Sequence, residues 1–241
     1  MVTRQAAPPR AAARPLVAIQ PLGAIDSGLV GRVCVGVERV YNVDAMVLPD
    51  RPLPADAYFK ESHRYSAETL LRDLDRDCDS RYDKVLALTS SDISISGGSR
   101  PDKAIAGYGL IGRRPCVVST FRLGHGDIPL MESRYLKIAI HELGHTFGLP
   151  HCATAGCIME DKHGTLVSVD AETGSFCPSC RLRLGAMLNK ECLAAFPTQR
   201  CLPASRHSAA PIRISSLRSR KRNRRIHRTL RTNSNSARHA G

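Results

Sequence analysis

The chemistry of this 241-residue chain concentrates in one run, His141-Glu142-Leu143-Gly144-His145-Thr146-Phe147-Gly148-Leu149-Pro150-His151. Two histidines four apart lie one turn above each other on a helix, so His141 and His145 can reach a single metal ion. Glu142 sits beside them outside the ligand row. Gly148 tolerates the positive φ that lets a chain leave a helix and turn sharply, and that turn returns His151 as a third ligand. Three imidazoles leave one tetrahedral position open for water, the arrangement of a hydrolytic rather than a structural zinc site. Zinc lowers the pKa of bound water from about 15.7 to about 7, and Glu142 is placed to take that proton as the peptide carbonyl is attacked and to pass it to the leaving amine. A bare HExxH recurs by chance on amphipathic helices; Gly148 and His151 in register make chance a poor explanation here.

Cys152 follows directly, Cys157 comes after four residues, Met159 after one more, and Cys177 and Cys180 close the run as a CxxC pair. Four cysteines so spaced suit a closed, structural zinc site. An exported protein would use them as disulfides instead, which spacing and compartment both oppose. With its adjoining cysteine and these spacings, the segment from His141 to Cys180 resembles the archaemetzincins. The resemblance implies two zinc ions per chain: a catalytic one on His141, His145 and His151, and a structural one on Cys152, Cys157, Cys177 and Cys180. It further implies that Glu142 is the general base, that Met159 forms a Met-turn beneath the first zinc, and that the substrate is a peptide, with an aminopeptidase label attached to the family. Apart from that resemblance, Met159 reads as an ordinary filler of an irregular core gap.

The elements that must hold these residues begin after a mobile leader, residues 1–14. Leu16 to Gln20 reads as a strand ended by Pro21. A helix capped by Asp26 or Ser27 follows, with Ile25, Leu29, Val33 and Val37 as its apolar stripe. Tyr41 to Leu48 reads as a second strand, 48–56 as a proline-rich loop, and a helix capped by Ser66 buries Leu70, Leu71 and Leu74. Lys84 to Thr89 is a third strand, and the polar run 90–103 reads as the loop after it. This alternation predicts an α/β fold with a mostly parallel sheet. Ala104 to Ile111 and Cys116 to Phe121, joined only by Gly-Arg-Arg-Pro, permit a hairpin and so require one antiparallel strand.

By the same resemblance, the sheet is metzincin-like, twisted and mixed, and its antiparallel edge strand accepts an extended peptide by backbone pairing. Gly107, Tyr108 and Gly109 are the candidate edge residues, the glycines allowing close backbone approach or else marking a bulge. Residues 122–131 read as a loop carrying His125 and Asp127. The active-site helix is expected from Glu132 or Ser133, with Ile138, Ala139 and Leu143 toward the sheet. His163 reads as a surface residue, 164–174 as turns with one short strand, and Pro178 to Ala195 as a final helix packing through Leu182, Met187, Leu188 and Leu193. The organisation expected is a catalytic subdomain over 15–151 and a small zinc-stapled C-terminal subdomain over 152–198.

Residues 199–241 differ in kind: they hold twelve of the 35 Arg and Lys residues and no acid, and so carry almost all of the net charge of +13. Such a tail cannot bury a core and reads as disordered; its arginines suit nucleic acid or another anionic surface by counterion release. No apolar run is long enough for a membrane span or a signal peptide, so a cytoplasmic protein is expected; a monomer is expected as well. The other five cysteines, Cys34, Cys78, Cys116, Cys192 and Cys201, carry no assigned chemistry. A second class stays open beside the peptidase: a nucleic-acid-associated zinc protein, tethered by its tail and lacking peptidase strength.

Overall fold

The computed structural model describes residues 14–97, 100–124, 126–161 and 165–188. The leader 1–13, the tail, His125, His163 and the final helix beyond Leu188 lie outside these residues.

Strand β1 (Leu16–Leu22) runs two residues further than expected, through Pro21. Helix α1 (Ser27–Tyr41) starts where Asp26 accepts a hydrogen bond from the Leu29 N–H at 2.7 Å. It runs on to Tyr41, and Asn42, in the left-handed region at φ 54°, turns the chain into β2 (Asp44–Val47). Tyr41 therefore belongs to the helix rather than the strand: its ring completes the buried stripe of Leu29, Val33 and Val37. The short strands β3 (Tyr58–Phe59) and β4 (Arg64–Ser66) precede α2 (Ala67–Asp77), where Ser66 caps the Thr69 N–H as expected. Strand β5 spans Lys84–Thr89.

The run read as a polar loop forms a hairpin, β6 (Ile93–Gly97) and β7 (Arg100–Ile105). Its serines and glycines hide a period-two pattern in which Ile93 and Ile105 are fully buried beneath α2. The single strand expected over Ala104 to Ile111 is thus split. Its first part is β7, and its second is β8 (Gly107–Gly109), which pairs antiparallel with β9 (Pro115–Ser119) in the register Tyr108 opposite Val117.

Two sheets result. The larger has the order β2-β1-β5-β9-β8, parallel except for the edge strand β8, and the smaller has the order β3-β4-β6-β7. The mixed sheet with one antiparallel edge is the architecture the sequence implied. On one face α2 buries Leu70, Leu71 and Leu74 against Ala18, Val85, Ala87 and Val117. On the other lie α1 and α3 (Ile128–Thr146).

Helix α3 starts four residues before Glu132. Asp127 accepts from the Leu130 N–H at 3.0 Å and Pro129 lies in the first turn, a start that outweighs the loop-like composition of 122–131. After α3, residues read as turns form a short helix, α4 (Leu166–Ala171), capped by Thr165. Helix α5 (Pro178–Leu188) buries Cys180 and Leu184 and packs Leu188 against the core as expected, while Leu182, expected inside, is 78% exposed. Ile158, Met159, Val169, Phe176 and Leu184 all join the core shared by α1 and α3.

Candidate active site

The last two turns of α3 carry His141, Glu142 and His145, all buried to 1% exposure or less. Tyr41 anchors this stretch from below. Its hydroxyl donates to the Ile140 carbonyl, and its ring packs on Phe147 and Phe176 with centroids 5.1 and 5.5 Å away. The helix ends as the motif requires: the Gly148 N–H donates to His145 O and the Leu149 N–H to Gly144 O, with Gly148 at φ 99°. Lys84 adds a cation at this C-terminus, its Nζ donating to Thr146 O at 2.5 Å.

That turn brings His151 to the other two histidines, and one ring nitrogen from each lies within 4.8 Å of the others. His141 Nδ1–H donates to Ile158 O at 2.6 Å and His145 Nδ1–H to Leu149 O at 2.8 Å, which fixes both tautomers. Their Nε2 lone pairs then face each other at 3.0 Å, a repulsive arrangement unless a cation stands before them. Zinc–nitrogen bonds of about 2.0–2.1 Å in a tetrahedron place two nitrogens about 3.3 Å apart, so these donors fit zinc. Burial holds His145 down to about 4 and lowers His151 too, which keeps both neutral, the form a metal ion requires. Behind His151, Asp161 Oδ2 lies 3.6 Å from Nδ1.

Met159 is fully buried under the helix: a Cβ added at Gly144 would lie 2.6 Å from its sulfur. Edge strand β8 crosses close to Glu142 on the same side. A Cβ at Gly107 would come within 2.7 Å of Glu142 Cγ, and one at Gly109 within 2.7 Å of the Glu142 carbonyl oxygen. Both glycines are therefore required by the approach of strand to helix. Tyr108, between them, points to the opposite face and packs with the α2 core, so its side chain is not gathered with the histidines.

The four cysteines converge as a second cluster, with sulfurs within 4.8 Å of one another. Cys152 and Cys177 Sγ are 3.7 Å apart, far beyond a disulfide bond and close to the edge of about 3.8 Å that zinc–sulfur bonds of about 2.3 Å produce. Backbone N–H groups of Cys177 and Cys180 point at the sulfurs of Cys157 and Cys177, at 3.4 and 3.5 Å. The second of these is the main reason the Cys177 thiol falls to about 6, whereas burial pushes Cys157 and Cys180 up. Thiols so divided become four thiolates when a cation joins them.

Asp161, Lys84, Tyr41 and the carbonyls of Leu149 and Ile158 had no part in the site as read from the sequence. Lys84 and the Ile158 carbonyl are placed by tertiary contacts that no local pattern announces, whereas the Leu149 carbonyl comes with the Gly148 turn, four residues beyond His145. Asp161 alone carried a signal, as an acid two residues beyond Met159.

Fold and donors together define a class, the zinc metallopeptidases, and comparison with known proteins narrows it. Residues 33–186 match Peptidase family M54. The archaemetzincin of Methanopyrus kandleri is 39% identical over 128 residues, 53% of this chain and 70% of that protein. Its crystal structure superimposes with a TM-score of 0.65 at 32% identity, covering 74% of this chain and 98% of the other. The archaemetzincin of Archaeoglobus fulgidus, crystallised with malonate, gives a TM-score of 0.60 at 28% identity over 70% and 99% of the two chains. The chain belongs to peptidase family M54, whose members include these archaemetzincins, and is a zinc metallopeptidase. Among the described residues no helix is long and apolar enough to cross a membrane.

Proposed function

We propose that this protein hydrolyses peptide bonds at His141, His145 and His151, with Glu142 as general base, and that Cys152, Cys157, Cys177 and Cys180 hold a second, structural zinc ion. The observation that carries the reading is the pair of neutral imidazoles presenting Nε2 lone pairs to one point, 3.0 Å apart, with Glu142 on the same helix turn. Zinc bound there supplies Lewis-acid polarisation and acidifies water. The protein's own groups do the rest. The carbonyls of Ile158 and Leu149 hold the imidazoles in orientation, Met159 supports them from below, and Glu142 moves a proton from the attacking water to the leaving amine.

Edge strand β8 is the proposed bed for the substrate backbone. Ser119 N–H donates to Ala106 O at 2.7 Å, and antiparallel ladders alternate, so the peptide groups of Gly107 and Gly109 face away from β9. An extended peptide pairs with that side. Tyr108, whose backbone is turned toward Val117 of β9 and whose ring packs on the α2 side, leaves that edge to the two glycines. Removal of residues from the amino terminus is the finer reading, and it rests on the family resemblance.

The test is digestion of a mixed peptide library by the zinc-loaded protein beside Glu142→Ala, with products read by mass spectrometry. General-base loss is expected to slow hydrolysis by about 10²–10⁴ with zinc retained. Product ends distinguish aminopeptidase from endopeptidase action. Equal product patterns from the two proteins would overturn the peptidase reading and favour the second one, nucleic-acid association through the tail, which rests on twelve basic residues and no acid in 199–241. A protein truncated after Thr198 would then lose most RNA or DNA affinity and its salt dependence.

A further inference from the structure

The three imidazoles are not held alike. His141 and His145 each give Nδ1–H to a buried, uncharged backbone carbonyl, at 2.6 and 2.8 Å. His151 has a different neighbour at the same ring position: Asp161 Oδ2, a carboxylate, 3.6 Å from Nδ1. It is also the ligand with the weakest placement. It follows the helix instead of standing on it, and it is half-buried where the other two are buried. Asp161 follows Met159 by two residues, on the strip where Cys152 N–H donates to Met159 O at 2.7 Å. That bond fixes the chain carrying Asp161 against the chain carrying His151. The carboxylate is half exposed and stands within ion-pair distance of Nδ1, just beyond hydrogen-bond length.

We propose that Asp161 is the positioning residue of the third ligand: its carboxylate accepts the His151 Nδ1–H, turns Nε2 toward the shared point of the other two histidines, and raises the affinity of the seat for zinc. The proposal rests on the zinc-peptidase reading above. A carboxylate behind a ligating imidazole makes the ring a stronger donor, and losing such a partner typically costs 10–100-fold in metal affinity. A ring polarised by a cation also donates more strongly from Nδ1, so the contact tightens when the seat fills.

The full-length protein tests this by equilibration with zinc chelators of graded affinity, counting the zinc retained per chain. His145→Ala identifies which class of zinc belongs to the histidine seat. Asp161→Ala is expected to weaken that class by about 10–100-fold. Asp161→Asn, which keeps an accepting oxygen without the charge, should fall between Ala and the parent. Cobalt(II) loading adds a readout that mere loop loosening would not move in the same graded way: the visible ligand-field bands should shift in Ala, and less in Asn. Should Asp161→Ala lose its native circular dichroism, Asp161→Asn decides alone. Zinc affinity within twofold of the parent in the folded variants, with the seat identified by His145→Ala, overturns the proposal and leaves the peptidase reading standing. Unchanged zinc retention in His145→Ala itself overturns both.

Discussion

The histidine and cysteine clusters are built on opposite principles. His141 and His145 stand on one helix, are fixed by carbonyl acceptors at 2.6 and 2.8 Å, and rest on Met159, Ile158 and Leu143 in the main core. The cysteines come from two segments of chain, a turn-rich stretch at 152–157 and the start of α5 at 177–180, joined by the Cys177 N–H on Cys157 Sγ at 3.4 Å and, beside it, by the Ile158 N–H donating to Ser175 O at 2.9 Å. Packing makes the first seat before any ion arrives. In the second, Cys157 and Cys180 reach the same core while Cys152 and Cys177 only pack against it, which leaves more of its order to a bound metal.

The largest expected effect breaks the comparison on the cysteine side. Structural zinc contributes an apparent ~10–16 kcal/mol in zinc-finger peptides. Cys177→Ser is therefore expected to loosen 152–157 and the start of α5, with hydrogen exchange there accelerated by orders of magnitude while β1, β5 and β9 keep their protection. Uniform protection along the chain in that variant would mean that packing alone holds this segment.

Acid sharpens the histidine side. Burial holds His145 at about 4 against an ordinary 6.5, so the unfolded chain binds a proton that the folded chain refuses. In metal-free protein this leaves stability complete above pH 6.5 and erodes it as pH falls toward 4, by at most about 3 kcal/mol. His151 shifts in the same direction and adds to the slope. Urea unfolding between pH 4.5 and 7.5 measures it, and His145→Gln should flatten the curve.

A smaller effect probes the wall that both clusters lack in their own segments. In Gly107→Ala the new methyl would fall 2.7–2.8 Å from Glu142 and Ile138, costing about 1–3 kcal/mol of stability. Hydrolysis should decline further than zinc affinity, since the displaced group is the carboxylate and not a ligand. Peptide hydrolysis assayed beside zinc titration separates the two, and thermal melts read the stability cost.

Much of this was legible in the sequence because it is local. The Asp26 and Ser66 caps, the Lys84–Thr89 strand and the Gly148 turn are each specified within a few residues of themselves. What escaped is non-local or masked by composition. Ile93 is buried only because α2 covers it, so a serine-rich strand read as loop. Gly107 and Gly109 announced a close approach, but only the folded chain shows that the approaching partner is Glu142, 35 and 33 positions away along the chain. Alternation alone settles Tyr108, because neighbours of inward-facing residues in a strand face outward.

His151 and Cys152 are consecutive, so a single peptide link, about 3.8 Å between Cα atoms, separates one donor set from the other. There is no slack in which an added residue could be absorbed. An insertion among the turns of 153–156 would lengthen a loop, whereas one inserted between 151 and 152 would make the chain choose which cluster to complete. The spacing works as a ruler, and its shortest division marks where an insertion would do most harm.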